Sequence, residues 1–158
     1  MKLLNSLVVI CCVCLYSGLA SSADNKYKST TFFKSDLQTQ DWDGEKVTVG
    51  TLKGVIQTHA SNIPNIPNGE SIQNCTIRAV RKGESFESIS NCTIKDKDGD
   101  MYFTLAERKQ GDLSAGGKGK LRVVSGTGKY LGLNSTCEYT AKYLPENWVV
   151  VESDCIKN

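Results

Sequence analysis

Few side chains in this 158-residue chain have the type and spacing that chemistry asks for. His59 is the single histidine. With no second histidine and no cysteine left unpaired by the scheme below, the chain offers no usual nucleophile and base pair and no zinc set. A Gly-x-Ser-x-Gly nucleophile elbow is also missing. Asp96, Asp98 and Asp100 alternate as calcium ligands can, yet in an EF-hand loop the glycine follows the third acid, and here Gly99 precedes it. A hairpin turn explains the segment in full. Asn74-Cys75-Thr76, Asn91-Cys92-Thr93 and Asn134-Ser135-Thr136 match glycosylation sequons, and equally suit Asn- and Thr-rich strand ends. What remains is a set of rings: Phe103, Tyr139 and Tyr143 fall on the inward face in the registers derived below. They either pack as core or line a pocket for a small apolar or aromatic ligand. No catalytic, cofactor or metal residue is assigned.

The elements that must position these rings start after residue 23. Met1 and Lys2, the apolar run Leu7 to Leu15, and the small residues from Ser17 to Ala23 have the three regions of a secretory signal peptide. The run is too short to span a bilayer. Cleavage fits after Ala20 or Ala23, and Ala23 is preferred, leaving residues 24–158 as one domain. Removing the segment takes Lys2 and no acid from 19 basic and 17 acidic side chains, so the remainder lies one charge above neutral. That balance lacks a nucleic-acid footprint, and no second run is long enough for a membrane helix. A secreted or periplasmic location follows. Of the seven cysteines, Cys11, Cys12 and Cys14 leave with the peptide, and Cys75, Cys92, Cys137 and Cys155 remain for two disulfides.

Strand signals fill the rest. Ser29 to Ser35 is rich in Thr and Phe, Asp43-Gly44 marks a turn, and Lys46 to His59 alternates with bends at Gly50 and Gly54. Ala60 to Glu70 repeats Asn-Ile-Pro, so it is an extended loop. It is a surface crossing, or a recognition loop displaying Ile63 and Ile66. Ser71 to Ile77 (SIQNCTI) recurs as Ser88 to Ile94 (SISNCTI), and a Gly83-Glu84 type II′ turn between them sets Lys82 opposite Ser85 and Cys75 opposite Cys92. Counting from the turn makes the cysteines a non-hydrogen-bonded pair, with α-carbons roughly 4.5 Å apart, within disulfide range. Reading Asp98-Gly99 as a two-residue type I′ turn then places Ile94 opposite Phe103 and Cys92 opposite Leu105. Ile77, Cys92, Ile94, Phe103 and Leu105 share the core face in that register, and Tyr102 turns to water.

Arg108 to Gly119 is glycine-rich and basic, a mobile connection or a ligand clamp. Lys120 to Ser125 and Ser135 to Tyr143 flank a Gly-Thr-Gly-Lys-Tyr corner whose glycines permit the bulges a sheet needs in order to curl. In Leu144-Pro145-Glu146-Asn147-Trp148, a three-residue loop with a left-handed Asn147 sets Leu144 opposite Trp148 and Cys137 opposite Cys155. Cys137, Tyr139, Ala141 and Tyr143 then share a face with Val149, Val151, Ser153 and Cys155. About eight hairpin-linked strands with no helical period predict an all-β, antiparallel up-and-down barrel, which removes exposed edges.

Val123 to Gly132, VVSGTGKYLG, resembles the Gly-Thr-Gly motif of the allene oxide cyclase and dirigent barrels. The nearer resemblance is to small exported bacterial proteins of unassigned function, which pair a Cys-x-x-x-Asp-x-Asp-Gly-Asp element with this corner. Here the element is Cys92, Asp96, Asp98, Gly99 and Asp100. The likeness spans the C-terminal half. It implies a barrel of that kind, with an avidin- or lipocalin-like barrel as the other arrangement. Ser125 replaces the first glycine of the plant families, and their catalytic carboxylates and arginines find no matching positions. The leading expectation is an exported non-enzymatic barrel that either binds a small apolar or aromatic ligand or serves as a stable envelope protein. The alternatives are a cofactor-free isomerase or cyclase of the plant kind, and a secreted partner-binding protein using the Asn-Ile-Pro loop.

Overall fold

The computed structural model describes residues 25–158. The signal-peptide reading of residues 1–23 lies outside them. Eight strands follow in order: β1 (Lys26–Trp42), β2 (Glu45–His59), β3 (Gly69–Lys82), β4 (Ser85–Lys95), β5 (Met101–Arg108), β6 (Gly117–Gly126), β7 (Ser135–Leu144) and β8 (Trp148–Lys157). Each pairs antiparallel with the next, and β8 closes on β1 with Tyr27 opposite Cys155 and Phe33 opposite Val149. The expected antiparallel barrel is what forms.

Local backbone chemistry sets each register. Asp43 and Gly44 are both left-handed, at φ 48° and 77°, so they make the two-residue turn that leaves Trp42 opposite Glu45. Gly83, at φ 56°, takes the first position of the next two-residue loop, with Lys82 opposite Ser85. Cys75 therefore faces Cys92, and the two are bonded with α-carbons 4.0 Å apart. Leu144 faces Trp148 across three residues, of which both Glu146 and Asn147 are left-handed, and Cys137 is bonded to Cys155. Disulfides of this kind belong to an oxidising environment.

One register differs from expectation. Lys95 is opposite Met101, Ile94 opposite Tyr102 and Cys92 opposite Thr104, so the whole of β5 is turned over relative to the two-residue reading. The cause is the Asp96 side chain. Its Oδ1 accepts from the Asp98 and Asp100 amides at 2.9 and 3.0 Å, while the Asp96 amide donates to the Asp100 carbonyl at 3.0 Å. That closes a loop over residues 97–99 with Gly99 left-handed at its end, the three-residue form with a glycine bulge. Odd loop length exchanges faces. Tyr102, Thr104, Ala106 and Arg108 point inward and are buried, whereas Phe103 lies in a shallow groove on the outer wall beside Thr51, Lys53, Thr93 and Val124. Phe103 is thus not a lining residue, and Leu105 leaves the core with it.

The two barrel ends are covered by the connections. Ile63 and Ile66 are each only 4% exposed, and the Ile66 amide donates to the Ile63 carbonyl, so the Asn-Ile-Pro loop folds inward and plugs one end. It does not display these side chains. At the other end the Arg108–Gly117 connection folds on itself. Asp112 Oδ1 accepts from the Ser114 and Ala115 amides, Arg81 donates to the Gly111 carbonyl at 3.0 Å, and Leu113 packs against the core.

Candidate functional site

Because strands alternate, each sends every second side chain inward, and the barrel interior is unusually mixed for a core. Phe33, Leu52, Ile56, Ile94 and Val149 are buried there together with Ser29, Thr31, Gln73, Ser88, Thr104, Arg108 and Ser153. Some of the polar groups satisfy one another. Thr31 Oγ1 donates to Gln73 Oε1 at 3.2 Å, and the Tyr27 hydroxyl bonds the Ser135 hydroxyl at 3.0 Å. They enclose a cavity of about 70 Å³ lined by all four described cysteines, Tyr139, Tyr143, Thr104 and Arg108.

Arg108 dominates this space. The residue is 2% exposed, and its guanidinium lies 4.9 Å from the centre of the Phe86 ring and 5.7 Å from that of Tyr143. Nη2 donates to the Tyr143 hydroxyl at 3.4 Å, but Nη1 has no partner. No ion pair among the described residues includes it. The neighbouring Arg81 stacks on Phe86 at 5.5 Å and pairs with Asp112 at 3.6 Å, so the nearest cation is neutralised and Arg108 is not. Room for the fork comes from Gly117. A β-carbon there would lie 2.7 Å from the Gln110 carbonyl oxygen and 3.2 Å from Arg108 Nη1, on a backbone at φ 148° that disfavours side chains. The second orphan is Thr104 Oγ1, two inward positions back along the same strand, with Ala106 between.

The titratable lining is otherwise phenolic. Burial raises Tyr139 to about 12 against a smaller downward pull from Arg108, and raises Tyr143 against the same pull. Burial also pushes Tyr102 far up. All three stay neutral near pH 7 and cannot act as bases there, while no carboxylate and no histidine lines the cavity. This arrangement can hold an anion or a polar small molecule; it has no general base.

Of the rings read as ligand-lining, Tyr139 and Tyr143 lie on the cavity and Phe103 lies outside it; the two disulfides, Cys75–Cys92 and Cys137–Cys155, also border the cavity. Sequence reasoning missed Arg108 and Thr104. Their signal was the alternation Tyr102, Thr104, Ala106, Arg108, which only the three-residue turn turns inward. His59 sits at the exposed end of β2, with Nε2 3.2 Å from Thr30 Oγ1.

The aspartate cluster and the glycine corner turn out to be one device. Lys129 Nζ bonds Asp96 at 2.6 Å and Asp98 at 2.9 Å, the Tyr130 hydroxyl donates to Asp96 Oδ2 at 3.1 Å, and the Lys129 amide donates to Asp100 Oδ2 at 3.2 Å. Burial alone would push the Asp96 carboxyl up, but Lys129, Tyr130 and the Asp98 amide hold it below its usual range. The carboxylates are spent on the corner.

Compared with protein-family models, with curated proteins and with solved structures, the chain has no significant match. The functional reading therefore rests on the cavity.

Proposed function

We propose that this chain is an exported, non-enzymatic β-barrel protein of the periplasm or extracellular space that holds one small ligand inside the barrel. One observation carries the reading: a cavity in the barrel interior whose lining residues leave two buried polar groups, Thr104 Oγ1 and Arg108 Nη1, without partners. Buried polar groups are almost always satisfied, so such a pair marks where another molecule completes the structure. Export agrees with the leader-like N-terminus and with the disulfides.

Size narrows the occupant. At about 70 Å³ the space is well below the roughly 300 Å³ at which drug-sized pockets begin, and about half the ~150 Å³ cavity that accepts benzene in another protein. An aromatic guest does not fit the space as it stands; one of a few heavy atoms does. Isomerase or cyclase chemistry would ask for a carboxylate or comparable base, which the lining lacks. Partner capture by Ile63 and Ile66 loses its basis because both side chains are inside.

The test is an amide-resolved NMR titration of the exported protein with small solutes, both charged and neutral: acetate, propionate, acetamide, propionamide and 2-propanol. Saturable shifts confined to Thr104, Arg108, Tyr139, Tyr143 and their neighbours are expected for at least one. If no solute saturates these sites, the cavity is only a hydrated core and the reading fails.

A further inference from the structure

Resting on that reading, we infer that the barrel's ligand is a short-chain monocarboxylate anchored on Arg108. Burying a charge is costly unless a counter-charge and hydrogen bonds compensate it. A lysine or histidine could escape by shedding its proton, but a guanidinium cannot, so the charge of Arg108 persists whatever its surroundings. The described residues offer it two aromatic faces and one long hydrogen bond to Tyr143, and no acid. An anion from outside the described residues completes that shell.

The geometry selects the kind of anion. Arg108 lines the cavity, and its Nη1 is a donor without a partner. Tyr143, which accepts from Nη2, keeps its own O–H to donate, and burial, outweighing the opposing pull of the guanidinium, keeps that hydroxyl protonated near pH 7. Two donors a few ångströms apart suit the two oxygens of a planar carboxylate, the partner that a guanidinium fork matches best. A phosphate or sulfate brings a second charge, and the lining supplies a single cation. The lining also includes Ala106, Ala141, Leu121 and Val151, which take an alkyl end, beside the polar Ser88, the cross-strand partner of Arg108, and Tyr139. With about 70 Å³ available, two to four carbons fill the space.

The experiment extends the NMR titration above in chloride-free buffer, comparing acetate and propionate with acetamide and propionamide, which have the same shape without the charge, and with chloride. Carboxylates are expected to bind at least tenfold tighter than the matching amides and to raise the melting temperature. Arg108→Met should abolish that preference while leaving the ligand-free protein at least as stable as wild type, because it removes an uncompensated charge. Should that variant fail to fold, Tyr143→Phe removes only the hydroxyl donor; it should weaken acetate several-fold and leave acetamide unchanged. Amides that bind as tightly as carboxylates would leave a ligand site but overturn the carboxylate assignment. Chloride binding as tightly as acetate would make it a halide site and overturn it too, as would unaltered acetate affinity in the Met variant. If no solute saturates the site, the ligand reading itself falls.

Discussion

Tyr102 and Phe103 are neighbours in sequence and sit on opposite sides of the barrel wall. Both are large and aromatic, so propensity alone cannot say which is inside; the loop before them decides. The two cysteine hairpins were legible because their turns carry positional signals with one good solution each. Asp98-Gly99 has two, and the side-chain cap from Asp96 selects the longer. Arg108 was illegible for a different reason: cations are so seldom fully buried that a basic, glycine-rich stretch reads as solvated linker. Substitutions separate the registers. Tyr102→Ala should cost about 3–5 kcal/mol, as removal of a buried ring does, whereas Phe103→Ser should cost about 1 kcal/mol or less. Urea unfolding of the pair checks this, and equal losses would contradict the assigned faces.

At the level of elements, the β4–β5 turn and the corner after β6 are locked together by Lys129 and Tyr130, which explains why an acidic turn and a glycine-rich corner occur in one chain. β6 also gains a bulge at Val124, where its pairing with β5 shifts between Phe103 and Thr104. Gly128 is the tightest point. It is left-handed at φ 52°, and a β-carbon would fall 1.8 Å from Asp100 Oδ1. Gly128→Val should therefore reduce the yield of folded, exported protein sharply; a normally secreted, normally melting variant would show that the corner tolerates more than the geometry allows. The existence of this corner could be read from the sequence. That its lysine neutralises the preceding turn could not, because the two lie about thirty positions apart.

The whole molecule is a closed sheet with inward-folded covers, and its architecture was largely legible: strand count, order, closure and both disulfides follow from alternation and turn chemistry. Its interior was not, since polarity inside a barrel depends on which registers win. That interior sets an alkaline limit. Burial raises Tyr139 and Tyr130 to about 12 and raises Tyr27 as well, while an unfolded chain releases these protons near 10. The folded state then holds more protons than the unfolded one above pH 10, so stability is complete below about 10 and declines toward 12. Melting temperature and tyrosinate absorbance should change together across that window. Ionisation near 10 with the barrel intact would show that the rings are wetter than the structure has them.

The closing seam carries one last consequence. Lys26 lies opposite Ile156, and the Lys157 amide donates to the Asn25 carbonyl at 2.7 Å, so the described chain enters and leaves the barrel side by side. A force pulling the two ends apart loads the β1–β8 hydrogen bonds one after another, as a zipper opens, rather than all at once. The molecule is thus soft to traction along this line. The softness has a stop, however: the Cys137–Cys155 and Cys75–Cys92 bridges join residues 18 and 17 positions apart, each withholding roughly 60 Å of contour from the pull. An oxidised barrel stretched by its ends lengthens in shorter steps than a reduced one, and the missing length measures its covalent staples.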